Sequence, residues 1–244
     1  VKNPDSYFPA GNVDTYIIRN IADSATQQME LEGGDLDFAL DLTADQTALL
    51  EGNESIKLVS FDTMDIFFLG LNASEEYGKE LANPTVREAI RYAIDYPGLC
   101  ALAGNGATTP AGIIPKGFLG YAGETTITRD VEKAKALLTQ AGYADGITIT
   151  TYIPTADAVM TILQQQLAEA NIHLDVQLAD AATVSDMRVT GKLACWLLTW
   201  YADYNDADEF FYGVFNSNVA DFFSTGWRNA EFDAKLEQCR AIND

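Results

Sequence analysis

Apolar residues recur along this chain at two spacings, one near every third or fourth position and one at every second position, and these sort it into alternating helices and strands. Helical spacing is clearest over residues 83–94, where Val86, Ala89, Ile90, Ala93 and Ile94 form one stripe. Asn83 there suits a cap, and Pro84 suits the first helical position, where its fixed φ and missing N–H do no harm. Further helices are predicted over 24–32, stopped by Gly33-Gly34, and over 43–50, capped by Thr43 with Gly52-Asn53 as the exit. The same spacing predicts helices at 130–141, headed by Asp130 and ended by Gly142, at 157–170 with Ile162, Leu163 and Leu167 inward, at 184–189, and at 229–242. Strands are predicted at 13–19, 36–40, 56–61, 66–71, 147–153, 174–178 and 193–199. Leu174, Val176 and Leu178 alternate with polar residues, the mark of a half-buried strand, whereas 193–199 reads as a central buried strand. The alternation implies an α/β fold in which a mixed sheet is flanked by helices, with 147–199 forming one β-α-β-α-β sheet.

Two stretches interrupt the pattern. Residues 102–123 are rich in glycine and proline and predict a long irregular loop that lacks the spacing of a phosphate-binding loop. Loops of that length in compact domains commonly carry function, here contact with a ligand or with an opposing lobe. Polar residues over 75–83 mark a boundary, dividing the chain into 1–75 and 76–244.

Composition narrows the function classes. The 244 residues suffice for one large or two modest domains, and 48% apolar content provides a core. A formal charge of −21 argues against a nucleic-acid partner, whose phosphates would be repelled. No run of apolar residues is long enough for a spanning helix, and the first residues lack an export-signal pattern. Cys100, Cys195 and Cys239 have no metal-ligand spacing and read as buried free thiols, so neither a metal nor a cofactor is expected. His173 is the sole histidine, which leaves no pair of histidines for a metal. The carboxylate pairs Asp35/Asp37 and Asp203/Asp206 have turn-forming explanations, and the expectation is a binding protein rather than an enzyme.

The candidate site follows the strand at 193–199. Trp200-Tyr201-Ala202-Asp203-Tyr204-Asn205-Asp206 places a carboxylate among aromatic rings at a strand end. Such a group can hold an ammonium ion, the rings supplying apolar walls and a negative π face. The same residues also suit a strand-to-helix turn in which Asp203 or Asp206 caps a helix beginning near Asp208.

This segment resembles the Trp-x-x-Asp-Tyr-x-(Asp/Glu)-Pro segment of peptide-binding family 5 extracellular solute-binding proteins, which feed ABC importers. Other segments resemble that family in the same order: residues 2–8 its Asn-Pro-x-Tyr-Trp segment, residues 32–37 its Ser-Gly-Glu-Ile-Asp turn, residues 83–95 its Asp-x-x-Val-Arg-Gln-Ala-Ile-x-x-Ala-Ile-Asp helix, and residues 130–143 its Lys-Ala-Lys-x-Leu-Leu-x-x-Ala-Gly-Tyr helix. The resemblance implies a type II periplasmic-binding-protein fold, of which this chain holds mainly the second lobe, with residues 1–75 leading toward the first lobe or hinge. It implies a monomeric, extracytoplasmic receptor for peptides, docking on permease subunits and reaching the membrane only through an anchor outside this chain. Asp203 would pair with the ligand's α-amino group, with Trp200 as the wall beside it and Tyr204 either a second wall or a packing residue. Arg188 matches an arginine of some relatives that would meet a ligand carboxylate, or is a solvated helix residue. Ala207 replaces the usual proline, and Leu197 an arginine of some oligopeptide binders. Relatives that bind nickel complexes, sugars or other small solutes, or that act as sensors, keep those alternatives open. The chain alone is expected to bind weakly, because a half-site leaves its ligand solvated.

Overall fold

The computed structural model describes residues 7, 11–40, 42–60, 63–104, 106–125, 127–219, 223 and 225–242. Of the 2–8 segment it therefore describes Tyr7 alone, and residue 61 of the strand predicted at 56–61 also lies outside. The chain divides into two compact units, Val1–Phe61 and Asp62–Asp244.

In the first unit, two short helices form where side chains satisfy their ends. Helix α1, Ser24–Gly33, begins with the Asp23 carboxylate accepting from the Thr26 amide and stops at Gly34, whose φ of 81° is the left-handed conformation that ends helices. Helix α2, Ala44–Leu50, carries a reciprocal capping box between Thr43 and Gln46. Arg19 grips the Glu30 carboxylate with two hydrogen bonds of 2.6 and 3.0 Å. The sequences at 13–19, 36–40 and 56–60, expected as strands, form none among the described residues. Their apolar side chains lie open, with Tyr16, Ile17 and Ile18 exposed at 78%, 81% and 97%. A capped helix satisfies its own backbone, whereas a strand exists only where a neighbouring strand completes its ladder.

The second unit starts with β1, Ile66–Leu71. It continues through a 3₁₀ turn, Lys79–Ala82, to α3, Pro84–Ala93, and α4, Tyr96–Ala103. Then come α5, Val131–Gln140, β2, Ile147–Ile153, α6, Ala158–Glu169, and β3, Ile172–Leu178. Helix α7, Ala181–Val189, β4, Cys195–Trp200, α8, Asp208–Phe215, and α9, Ala230–Arg240, complete it. Side chains of Asn83, Asp95, Asp130, Asp157, Asp180 and Asn229 accept amide hydrogens at the starts of α3, α4, α5, α6, α7 and α9.

Strand order departs from the expected single sheet. Strands β2 and β3 pair in parallel with Ile147 opposite Ile172, the right partner arrangement for a crossover through α6. Strand β4 pairs antiparallel with β1 instead, Trp200 opposite Ile66 and Cys195 opposite Leu71. The two ladders are joined by the buried Thr151 hydroxyl, which donates to the Cys195 carbonyl. That pairing ties residues 66–71 to the second unit, although the polar stretch at 75–83 would leave them with the first.

The main core lies between α3, α5, α6 and the β2–β3 ladder. Ala89 and Ala93 on α3 and Ala134 on α5 are fully buried, small enough to bring those helices close, while Leu138, Met160, Leu163, Leu167 and Ile172 fill the space beneath. Arg129 fastens the helix ends above it: its guanidinium donates to the Ala93 carbonyl at 2.9 Å and the Gln166 carbonyl at 3.3 Å, and pairs with Glu169 at 3.0 Å. Carbonyls left over at two helix ends thereby gain partners.

Candidate functional site

The β1–β4 ladder sets up the site by giving its two faces different tasks. Cys195 and Leu197 turn to the main core, and burial there pushes the Cys195 thiol up to about 12, well out of reach of reactivity at neutral pH. On the neighbouring positions, Trp196 lies across Gly70, where any Cβ would collide with the indole ring. Trp200, at the strand end, is half-buried against a second, smaller cluster built on Ile66, Ile114, Phe118 and Phe210. Its ring meets Phe223 edge-on with centres 4.8 Å apart, and Phe118 meets Phe210 likewise at 5.1 Å.

The chain then turns sharply into α8. Asp206 makes the turn: its Oδ1 accepts from the Asp208 amide at 2.8 Å, and its carbonyl accepts from the Glu209 amide at 3.2 Å. Ala207 occupies the cap position without a side-chain bond, and Asp208 and Glu209 place negative charge in the first turn, where the helix dipole favours it. Asp203 is exposed and makes no hydrogen bond or ion pair among the described residues. The alternative of helix capping thus falls to Asp206, as a turn rather than a cap, and leaves the Asp203 carboxylate unspent. Tyr204 is 51% exposed and donates its hydroxyl to Asp208 Oδ2 at 3.2 Å. Partial burial of that hydroxyl and the nearby charges of Asp208 and Glu209 push its ionisation up to about 12, so it remains a donor at any physiological pH.

Of the four residues singled out from sequence, Trp200, Asp203 and Tyr204 share this turn. Arg188 belongs to the last turn of α7 and is half-buried, its guanidinium pKa lowered by desolvation. The long loop was expected to meet a ligand or an opposing lobe. Within the second unit, it buries Ile114 and Phe118 in the cluster under the turn and passes Ala207 at Gly120. Those two apolar side chains among glycines were the sequence signal for a foundation. A depression of about 470 Å³ sits elsewhere, at the amino-terminal ends of β2 and β3 beside Glu80, Asp145 and the exposed His173. Ligands on open α/β sheets gather beyond the carboxyl ends, which favours the turn over that depression.

Residues 1–222 match the bacterial extracellular solute-binding proteins, family 5, middle region. The chain belongs to this family. Family 5 members are solute-binding proteins rather than enzymes, and the fold is that of the type II periplasmic binding proteins. Among curated relatives, the glutathione-binding protein GsiB of Escherichia coli O1:K1 is 31% identical over 260 aligned residues, covering 100% of this chain and 50% of GsiB. The chain thus spans about half the length of the family 5 relatives it matches. Among solved structures, the ABC transporter-associated periplasmic binding protein DppA from Helicobacter pylori, in complex with the peptide STSA, superposes with a TM-score of 0.84 at 24% identity, over 99% of this chain and 48% of that one. The dipeptide-binding protein of Pseudoalteromonas sp. SM9913, in complex with Met-Leu, gives 0.76 at 22% identity over 92% and 46%.

Proposed function

We propose that this chain carries the amine-recognition turn of the substrate-binding component of an ABC importer, and that Asp203 pairs with the free α-amino group of a bound peptide. The observation that supports this most is the exposed Asp203 carboxylate, left without a partner among the described residues, at the end of β4 beside half-buried Trp200. In this reading, residues 76–244 belong chiefly to the second lobe and the peptide lies in an interlobe cleft. Backbone hydrogen bonds hold it there as an added strand, giving affinity with little dependence on its side chains. Tyr204 lines the same wall, and Arg188 meets a ligand carboxylate. The receptor works as a monomer in the extracytoplasmic space and delivers its ligand to permease subunits.

The ligand of the curated relatives fits the same chemistry, since glutathione is a tripeptide with a free α-amino group on its γ-glutamyl residue. Calorimetry on the full-length protein tests the reading with di-, tri- and pentapeptides, their N-acetylated forms, glutathione, oligosaccharides and nickel complexes. Free-amine peptides are expected to bind and acetylated ones to bind far more weakly. Asp203→Asn is expected to cost on the order of 2–5 kcal/mol of binding, much of it the penalty of a desolvated ammonium without its counter-charge. Equal binding of acetylated and free peptides would sink the amine anchor, and exclusive binding of sugar or nickel would replace the ligand class.

A further inference from the structure

The recognition turn is braced from the last helix of the second unit. Arg240, in the final turn of α9, places its Nε 3.4 Å from Asp208 Oδ1, and the other oxygen of that carboxylate accepts from the Tyr204 hydroxyl at 3.2 Å. The Arg240 guanidinium carbon also lies 3.8 Å from the centre of the Tyr212 ring, one turn further along α8, so two contacts hold the cation in place. Asp208 is the better buried partner, its side chain 22% exposed against 45% for Arg240. Each charge also suits its helix, an anion at the start of α8 and a cation at the end of α9.

The turn needs such a brace. Asp203, Asp206, Asp208 and Glu209 place four carboxylates within seven residues, and their mutual repulsion favours a more open chain. Within the turn itself, the Asp206 amide donates to the Tyr204 carbonyl at 3.0 Å, and the Asp206 carboxylate and carbonyl hold the start of α8; none of these bonds reaches the Tyr204 ring or the Asp203 carboxylate. We propose that Arg240 is a positioning residue for ligand recognition: it fixes Asp208, Asp208 fixes the Tyr204 ring through its hydroxyl, and the neighbouring Asp203 is presented in one geometry. This rests on the reading that Asp203 receives the ligand's amino group. Helix α9 has its own hold on α8 through Phe232, which packs against Phe211, Phe215 and Trp227 at 6.3, 6.2 and 5.4 Å between ring centres. Removing the Arg240 side chain therefore releases the brace without undocking the helix.

The test uses the full-length protein with Arg240→Ala, Arg240→Lys and Asp203→Asn, and trialanine and N-acetyl-trialanine as probes. Amide hydrogen exchange over residues 202–209 reports the order of the turn, and calorimetry reports binding. Arg240→Ala is expected to speed exchange there and to weaken trialanine binding roughly threefold to thirtyfold. The preference for trialanine over its acetylated form should shrink by the same factor, and Arg240→Lys should restore part of it. A loss of general stability would weaken both probes alike and leave the preference intact, an outcome that overturns the proposal. Unchanged exchange in Arg240→Ala overturns it as well. If the preference survives Asp203→Asn, the amine reading itself has failed and the recognition role of Arg240 goes with it. If Asp203→Asn abolishes the preference while Arg240→Ala leaves it whole, the brace alone has failed.

Discussion

The second unit has two apolar clusters, and they differ in kind. The one between α3, α5, α6 and the β2–β3 ladder contains, among the described residues, seventeen buried ones, nearly all aliphatic, in continuous contact. The one under the proposed recognition turn contains four among the described residues, two of them phenylalanines, and is completed by half-buried side chains such as Phe68, Tyr121 and Trp200. The first is a foundation that many residues share. The second is a thin platform in which few side chains hold the turn proposed to meet the ligand. Stability is therefore expected to be concentrated on one side of the molecule and recognition on the other, with the β1–β4 ladder and the Thr151–Cys195 bond as the link between them.

Truncations in the two clusters test that division most strongly. Phe210→Ala empties the centre of the small platform and should destabilise by about 3–5 kcal/mol, with a matching loss of peptide affinity as Trp200 and the turn shift. Leu163→Ala, in the large cluster, should cost about 2–5 kcal/mol of stability and leave the affinity of the folded protein unchanged. Denaturant melts and calorimetry on both variants check this together. If Phe210→Ala melts early yet binds normally, recognition does not depend on the platform and the comparison breaks.

A smaller effect sharpens the contrast with the first unit. Thr43→Ala removes one half of the capping box on α2 and should cost about 1 kcal/mol, read as faster amide exchange confined to residues 44–50. Peptide affinity should not follow it. The smallest effect concerns pH at α7, the helix that carries Arg188. The Thr183 hydroxyl and amide bond to Asp180 and hold its carboxyl below the usual carboxylate range. Because the folded pKa is depressed, the cap contributes above the ordinary aspartate pKa and is lost as pH falls through the folded value. Protection of the Thr183 amide should therefore decline only in acid and stay flat through neutral pH, as checked by exchange across that range.

Much of the scaffold was legible because its signals are local. Asn83-Pro84, Asp130, Asp157 and Thr43 start helices where the sequence placed them, since a side chain two or three residues away is all that a cap requires. The stripe of Val86, Ala89, Ile90 and Ala93 is buried for the same kind of reason, as helical spacing alone puts those residues on one face. Strands were read less well. Residues 66–71 and 147–153 formed and 13–19 did not, although all three look alike in pattern, because a ladder needs a partner that lies far away in sequence. The site divides in the same manner. Its strand end and aromatic carboxylate turn could be named in advance, whereas the role of Asp206 in the turn, the burial of Ile114 and Phe118 beneath it, and the reach of Arg240 to Asp208 could not.

By itself, then, the sequence determined the helices with their caps, the apolar faces, the acidic surface, and the family, whose motifs run in order along the chain. Tertiary structure decided that β4 joins β1, which carboxylate shapes the turn and which stays open, and what holds that turn in place. The physical reason is range. Periodicity and capping act within a few residues of chain, while pairing, burial and charge compensation join residues as distant as Tyr204 and Arg240, and only the folded chain brings those together.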